Sequence, residues 1–332
     1  MSNHCLEYVR NGRHCFQTYL QFVADWWIWA FAQGTDGARN ALMTEMMPSS
    51  TFVADWTVEE TACPMCGSTD AADTPYDQAP FAIKKCKACS LSYLSPRLSA
   101  EEATRFYQND TYFSGGDGVS GYDDYEVQED SLRATFRKLM KTLDGQGVCG
   151  GTLLEVGCGP GYLLDEARTY FTDRAGVELS KAAAAKAEAR ANAKIYLSVD
   201  DIDPAPAFDC IIATHVIEHI YEPVDFVQSL AQRLRPGGSL ILAAPHMGSV
   251  FRHVMGRKWP SFKYPEHVTF YDQKTLPDLF RRAGLDVAQR VPYPHVFPLS
   301  LVLSKFGLKA GAWADKINMT LPATTISFRA VK

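Results

Sequence analysis

The run Leu153-Leu154-Glu155-Val156-Gly157-Cys158-Gly159-Pro160-Gly161-Tyr162 constrains the fold more than any other segment, because an apolar strand enters three closely spaced glycines and leaves into a helix start. Glycines there let the backbone turn tightly and let a ligand lie against the main chain with no side chain between them. The helix that follows presents free N–H groups and partial positive charge to such a ligand. Tyr162 stands where the dinucleotide fingerprint requires Gly or Ala, so its ring is expected to crowd a pyrophosphate. In Ala175-Gly176-Val177-Glu178 a second strand ends in a carboxylate, placed to accept the two ribose hydroxyls of an adenosine.

From Gly151 onward the pattern is regular. Apolar runs at Leu153–Val156, Ala175–Glu178, Lys194–Val199, Phe208–Thr214 and Ser239–Ala244 alternate with helix-like segments at Tyr162–Phe171, Lys181–Ala191, Pro223–Leu234 and Leu276–Ala283. That alternation predicts crossover units and a mostly parallel sheet. Asp200 to Ala207 holds two prolines and is too short for a crossover helix, so that connection is expected to be a loop. Leu285–Tyr293 and Thr324–Val331 read as further strands around a Pro/Leu-rich insertion. Upstream, Ser99 to Tyr107 reads as a short helix with a Ser99/Glu102 capping box. Asp110 to Tyr125 reads as a mobile loop rich in Gly, Asp and Tyr. Glu126 to Leu143 is helical in composition.

Four of the nine cysteines, Cys63, Cys66, Cys86 and Cys89, are spaced C-x2-C-x19-C-x2-C. Two such pairs suit a tetrahedral structural Zn2+ site in which all positions are filled by thiolate, leaving none for water and hence no catalytic role. A single redox C-x-x-C leaves the second pair unexplained. The expected organisation is therefore an unassigned extension over 1–58, a zinc-ribbon-like module over 59–98, a helical lid or linker over 99–150 and a cofactor-binding domain over 151–332.

Four stretches carry a resemblance: Glu155-Val-Gly-Cys-Gly-Pro-Gly161, Gly176-Val-Glu178, Phe208-Asp-Cys-Ile-Ile-Ala-Thr-His-Val-Ile-Glu-His219 and Leu234-Arg-Pro-Gly-Gly-Ser-Leu-Ile-Leu242. In this order they resemble the class I S-adenosylmethionine-dependent methyltransferases. The resemblance implies a Rossmann-like α/β fold with a seven-stranded, mostly parallel sheet and helices on both faces. It implies that Gly157, Gly159 and Gly161 pack against the methionine and ribose part of S-adenosyl-L-methionine. Glu155 would orient the amino group, Glu178 the ribose hydroxyls, and Asp200 or Asp201 the adenine amino group, while His215 would sit near the methionyl end. Tyr264-Pro265-Glu266-His267 resembles the His-containing stretch that lines the acceptor pocket in this subgroup, which makes His267 the first candidate base, with Tyr264, His246 and His219 behind it. The alternative for His267 is a structural hydrogen bond. Tyr107, Tyr112 and Phe113 fall where related chains carry a tyrosine-rich lid.

His215 to His219 also spells H-x-x-E-H, but metalloprotease use needs one helix and this string straddles a strand end and a loop. The Glu218-His219 pair resembles that of the ubiquinone-biosynthesis O-methyltransferases, where it can serve a divalent metal. The cysteine module resembles the zinc-ribbon prefix of methyltransferases acting on bacterial sugars, polysaccharides and secondary metabolites, which implies a small-molecule acceptor. A net charge of -5 supplies no basic field for a polyphosphate backbone, so an RNA methyltransferase ranks below the metabolite enzyme. A non-catalytic scaffold with a vestigial pocket is opposed by the intact glycine and glutamate set. The apolar run Phe16 to Ala32 is broken by Gln17, Gln21 and Asp25, so no membrane span is expected. The cysteine usage fits a reducing cytoplasm.

Overall fold

The computed structural model describes residues 56–103, 121–300, 303, 311–321 and 324–332. The extension expected over 1–58 lies almost wholly outside the described residues, as do Tyr107, Tyr112 and Phe113 of the expected lid. The chain opens with β1 (Val58–Glu59), β2 (Ala71–Gln78), β3 (Phe81–Cys86), β4 (Ser92–Leu94) and β5 (Arg97–Leu98). Helix α1 (Gly121–Gly145) begins ahead of the expected start, so 121–125 of the predicted loop is helix. Its buried residues Leu132, Phe136, Leu139, Met140 and Leu143 recur at helical spacing and face the sheet. Gly147, at a φ of +67°, then turns the chain out of the helix.

The Rossmann-like core follows: β6 (Thr152–Val156), α2 (Tyr162–Glu166), β7 (Asp173–Val177), α3 (Lys181–Ala191), β8 (Lys194–Tyr196), β9 (Phe208–Thr214), α4 (Pro223–Arg233) and β10 (Leu234–Pro245). Next come α5 (Val250–Met255), β11 (Thr269–Phe270), α6 (Thr275–Arg282), β12 (Asp286–Arg290), β13 (Val296–Pro298), β14 (Asn318–Thr320) and β15 (Thr325–Val331). The main sheet has seven strands in the order β12-β15-β10-β9-β6-β7-β8. Its pairs from β10 to β8 are parallel, and β15 is antiparallel to both β10 and β12. The strand order reverses between β6 and β9, which opens a crevice at their carboxyl ends. As its two prolines and short length imply, the connection between β8 and β9 holds no α-helix, only a single 3-10 turn at Val199–Asp201.

The local sequence explains the helix ends. Ser180 caps α3 by accepting the Ala183 N–H, and Asn192 closes it in the left-handed region at a φ of +49°. Pro223 starts α4, where its missing N–H costs nothing. Helix α2 is shorter than the expected Tyr162–Phe171 and tightens into a 3-10 turn over Ala167–Thr169.

Buried residues form two clusters, one holding α1, α2 and α3 residues and the other α4 and α6 residues. The second cluster also contains Cys63, Met65, Phe81, Ile83, Leu91, Tyr93 and Leu94, so the cysteine module shares a core with the larger domain. The two also share a sheet, in the order β11-β4-β3-β2, whose edge strand comes from residues 269–270. No described helix is long and apolar enough to cross a membrane.

Candidate active site

The three loop glycines take φ values of +76°, +52° and +84° at Gly157, Gly159 and Gly161, a region that side chains bearing a Cβ resist. At Gly161 a Cβ would come within 2.8 Å of the Ala187 backbone, so this glycine lets α3 approach the loop. Glu178, fully buried, accepts the Gly159 N–H and the Ser180 N–H, each at 2.9 Å, which ties the loop to the end of β7. Glu155 is also buried, and its Oε2 has no hydrogen-bond partner. Burial pushes its carboxyl well above the ordinary carboxylate range, and the neighbouring Glu178 adds to the effect. An orphaned buried oxygen beside an open-backbone glycine loop fits an ammonium-bearing ligand such as S-adenosyl-L-methionine. Asp200 and Asp201 are exposed on the turn beyond β8, at the same edge as Glu178.

The structure settles the orientation of two side chains around the loop. Tyr162 does not crowd the loop: its ring lies between the guanidinium groups of Arg133 and Arg190, and its hydroxyl donates to Glu129 of α1 at 3.3 Å. Cys158 turns under the loop into the core, where a Cβ on Gly176 would meet its sulfur at 2.7 Å.

At the carboxyl end of β9 the chain bends sharply. His215 is a non-glycine residue at a φ of +57°, the kind of backbone strain that concentrates at functional sites. The H-x-x-E-H string is not one α-helix, since only Ile217–His219 form a 3-10 turn. The His215 Nδ1 lies 3.4 Å from Glu218, and both side chains are buried. His219 and His267 meet edge to face with ring centroids 4.7 Å apart. The Nδ1–H of each donates to a main-chain carbonyl, His219 to Glu266 at 3.2 Å and His267 to Ser261 at 2.9 Å. Those bonds fix the tautomer, and burial holds both rings well below the ordinary histidine value and hence neutral. Donor atoms of Glu218, His219 and His267 all lie within 4.8 Å of one another, a set able to hold a metal ion. Lys263 pairs with Glu266 at 3.1 Å in the same buried region, and burial lowers its amine to about 7. Tyr264 is partly buried, and burial raises its hydroxyl above the ordinary range.

The four module cysteines form a second cluster, with donor atoms within 4.8 Å of one another. Cys63 and Cys89 sulfurs are 3.4 Å apart and Cys66 and Cys86 sulfurs 3.5 Å, too far for a disulfide and near the ~3.8 Å spacing of thiolates arranged tetrahedrally around zinc. The two pairs are built alike. Gly67 N–H donates to the Cys63 carbonyl and Ser90 N–H to the Cys86 carbonyl, and Gly67 and Ser90 both have positive φ. The donor chemistry and spacing fit Zn2+.

Sequence reading missed Tyr293 and His295. Both are buried on the insertion after β12, packed against the His215 ring at 5.8 Å each. No spacing rule links 215 to 293 or 295, so only the folded return of the insertion could reveal them.

The part of the chain that follows the cysteine module is similar to known proteins. The family model described as "Methyltransferase domain" matches residues 128–290. A ubiquinone biosynthesis O-methyltransferase of Bradyrhizobium diazoefficiens is 28% identical over 137 residues, covering 39% of this chain and 50% of that protein. The Nitrobacter winogradskyi counterpart is 30% identical over 137 residues, covering 39% and 48%. The chain thus spans about half the length of the curated relatives it matches. Among solved structures, N-methyltransferase NodS from Bradyrhizobium japonicum is 14% identical, covers 61% of this chain and 97% of its own, and aligns with a TM-score of 0.40.

Proposed function

We propose that this chain is a class I S-adenosylmethionine-dependent methyltransferase that transfers a methyl group to an oxygen, nitrogen or carbon of a small molecule of the sugar or secondary-metabolite kind, a reading supported by the methyltransferase-domain match over residues 128–290. The observation that carries the reading is the orphaned Oε2 of Glu155 beside the glycine loop, at the crevice that also receives Glu178 and His215. When bound, S-adenosyl-L-methionine supplies a methyl group on a positively charged sulfur, already an excellent leaving group. The protein's task is alignment and, for hydroxyl or amine acceptors, proton removal.

In this reading Glu155 takes the cofactor's ammonium group, which restores its charge. Gly157, Gly159 and Gly161 leave room along the main chain, Glu178 holds the ribose hydroxyls, and Asp200 or Asp201 receives the adenine amino group. His267 is the base: its Nδ1–H donates to the Ser261 carbonyl, which fixes the tautomer in which Nε2 is the unprotonated, basic nitrogen. His219, whose Nδ1–H is committed to Glu266, is the second candidate. Tyr264, held protonated, serves better as a hydrogen-bond donor to the acceptor than as a base. Cys63, Cys66, Cys86 and Cys89 hold a structural Zn2+ that stabilises the module.

Titration calorimetry with S-adenosylhomocysteine tests the cofactor reading. Binding in the micromolar range is expected, and no binding removes it, leaving the scaffold alternative. Methyl transfer is then sought across sugar nucleotides and metabolites. An RNA gel shift that weakens with salt would favour the RNA alternative.

A second reading of the acceptor side is favoured by one observation. Both His219 and His267 donate Nδ1–H to main-chain carbonyls, the arrangement that orients metal-ligating imidazoles. Together with Glu218 they suit a divalent ion that would lower the acceptor's pKa. Mn2+ titration should then give one site beyond zinc, lost in His267→Ala. Absence of that site leaves His267 as the base.

A further inference from the structure

The connection between β8 and β9 lacks its crossover helix, yet it must still form the edge of the crevice beyond Glu178. Tyr196 ends β8 and accepts the Glu178 N–H at 2.9 Å, so the residues that follow Tyr196 continue directly from the ribose side of the crevice. Within the short turn, Ser198 Oγ accepts the Asp200 N–H at 3.1 Å and the Val199 carbonyl accepts the Ile202 N–H at 3.1 Å. Ser198, Val199 and Ile202 are buried while Asp200 and Asp201 point their carboxylates outward.

One residue from the next helix clasps this connection at both ends. Arg233, the last residue of α4, is 5% exposed. Its Nη2 donates to the carbonyls of Val199 and Ile202, each at 2.9 Å, and its Nη1 to Ser229 on its own helix at 2.9 Å. Its main-chain carbonyl accepts the Ala207 N–H at 2.9 Å, closing the far end of the loop. A planar guanidinium reaches two carbonyls from one nitrogen while a second nitrogen anchors it, which an ammonium on a flexible stem does not reproduce. Burying a guanidinium is costly unless its donors are used; here Nη1 and Nη2 are engaged while the buried Nε has no hydrogen-bond partner, so the guanidinium's contacts are concentrated on those carbonyls. Both lie on the turn that carries Asp200 and Asp201.

We infer that Arg233 is a positioning residue for the cofactor's adenine end, fixing the Val199–Ile202 turn in place of the missing crossover helix so that Asp200 and Asp201 meet the ligand in one geometry. The inference rests on the methyltransferase reading above. It assigns Arg233 no contact with the ligand.

The test is S-adenosylhomocysteine calorimetry on the full chain and on Arg233→Met, Arg233→Lys and Asp200→Ala/Asp201→Ala, alone and combined. Arg233→Met should weaken binding about tenfold, the equivalent of one well-placed hydrogen bond lost at the ligand, with Arg233→Lys in between. In the background lacking both aspartates the Arg233 effect should fall to under about twofold, because both changes act through one turn. Should Arg233→Met not fold, Arg233→Lys and hydrogen exchange on the unaltered chain carry the test. S-adenosylhomocysteine should slow exchange at the Asp201 and Ile202 amides. Unchanged affinity with a lower Tm, fully additive losses, or no added protection at those amides would each overturn the inference. An unaltered chain that does not bind S-adenosylhomocysteine would instead overturn the cofactor reading on which it stands.

Discussion

Gly161 shows how one residue serves packing and function together. Its φ of +84° belongs to glycine, and the Ala187 backbone fills the space a side chain would take. Gly161→Ala should cost about 2–4 kcal/mol, from left-handed strain plus overpacking, measured by urea unfolding. Glu178 carries two main-chain N–H groups with its two oxygens. Glu178→Ala should therefore weaken S-adenosylhomocysteine binding by more than tenfold and also loosen the glycine loop, read as faster exchange at the Gly159 amide. Glycine spacing and the terminal acids were legible because the backbone conformations they require are local. The orientations of Tyr162 and Cys158 were not, since each is decided by partners distant in sequence: Glu129 and Arg133 for one, Gly176 for the other. His295 and Tyr293 escaped for the same reason.

Among the elements, β11 decides how the two parts of the molecule communicate. It pairs with β4 through Thr269 and Phe270, with only Val268 between them and His267. The Leu94 N–H bonds to the Val268 carbonyl and the Val268 N–H to the Glu218 carbonyl, each at 2.9 Å, so His267 is strung between the cysteine module and the end of β9. Cys86→Ser should chiefly lower stability, with the loss read as a lower Tm and as faster exchange at Val268. S-adenosylhomocysteine affinity should change little, because the glycine loop packs on the opposite cluster. A large affinity loss with unchanged Tm would invert this assignment. Strand and helix periodicity anticipated β6 to β10 and the short β8–β9 connection. A two-residue strand after a proline-rich segment has no period to detect, and its partner lies in a different part of the chain.

For the whole molecule, buried neutral imidazoles set the response to pH. Burial lowers His219, His267 and His295 well below the ordinary value, so on acidification the unfolded chain takes up protons that the native state does not. Their contribution to stability is complete above the unfolded pKa of ~6.5 and is lost as pH falls below it toward the native values. Three such groups give a slope of up to about 4 kcal/mol per pH unit. Urea midpoints should fall steeply between pH 6 and pH 5, and replacing His295 with Phe should flatten that fall. The lowered amine of Lys263 acts in a separate window. Its native value of about 7 lies below its unfolded one, so stability should rise between about pH 7 and pH 10.

The shared sheet β11-β4-β3-β2 also has an evolutionary meaning. A strand borrowed across a sheet cannot be exchanged without its neighbour, because an orphaned edge invites pairing with other chains. Replacing the acceptor-side segment 263–271 alone would therefore be expected to disturb the pairing of β4 unless 56–98 is replaced with it. These two stretches, far apart in the gene, are expected to travel as a single heritable cassette.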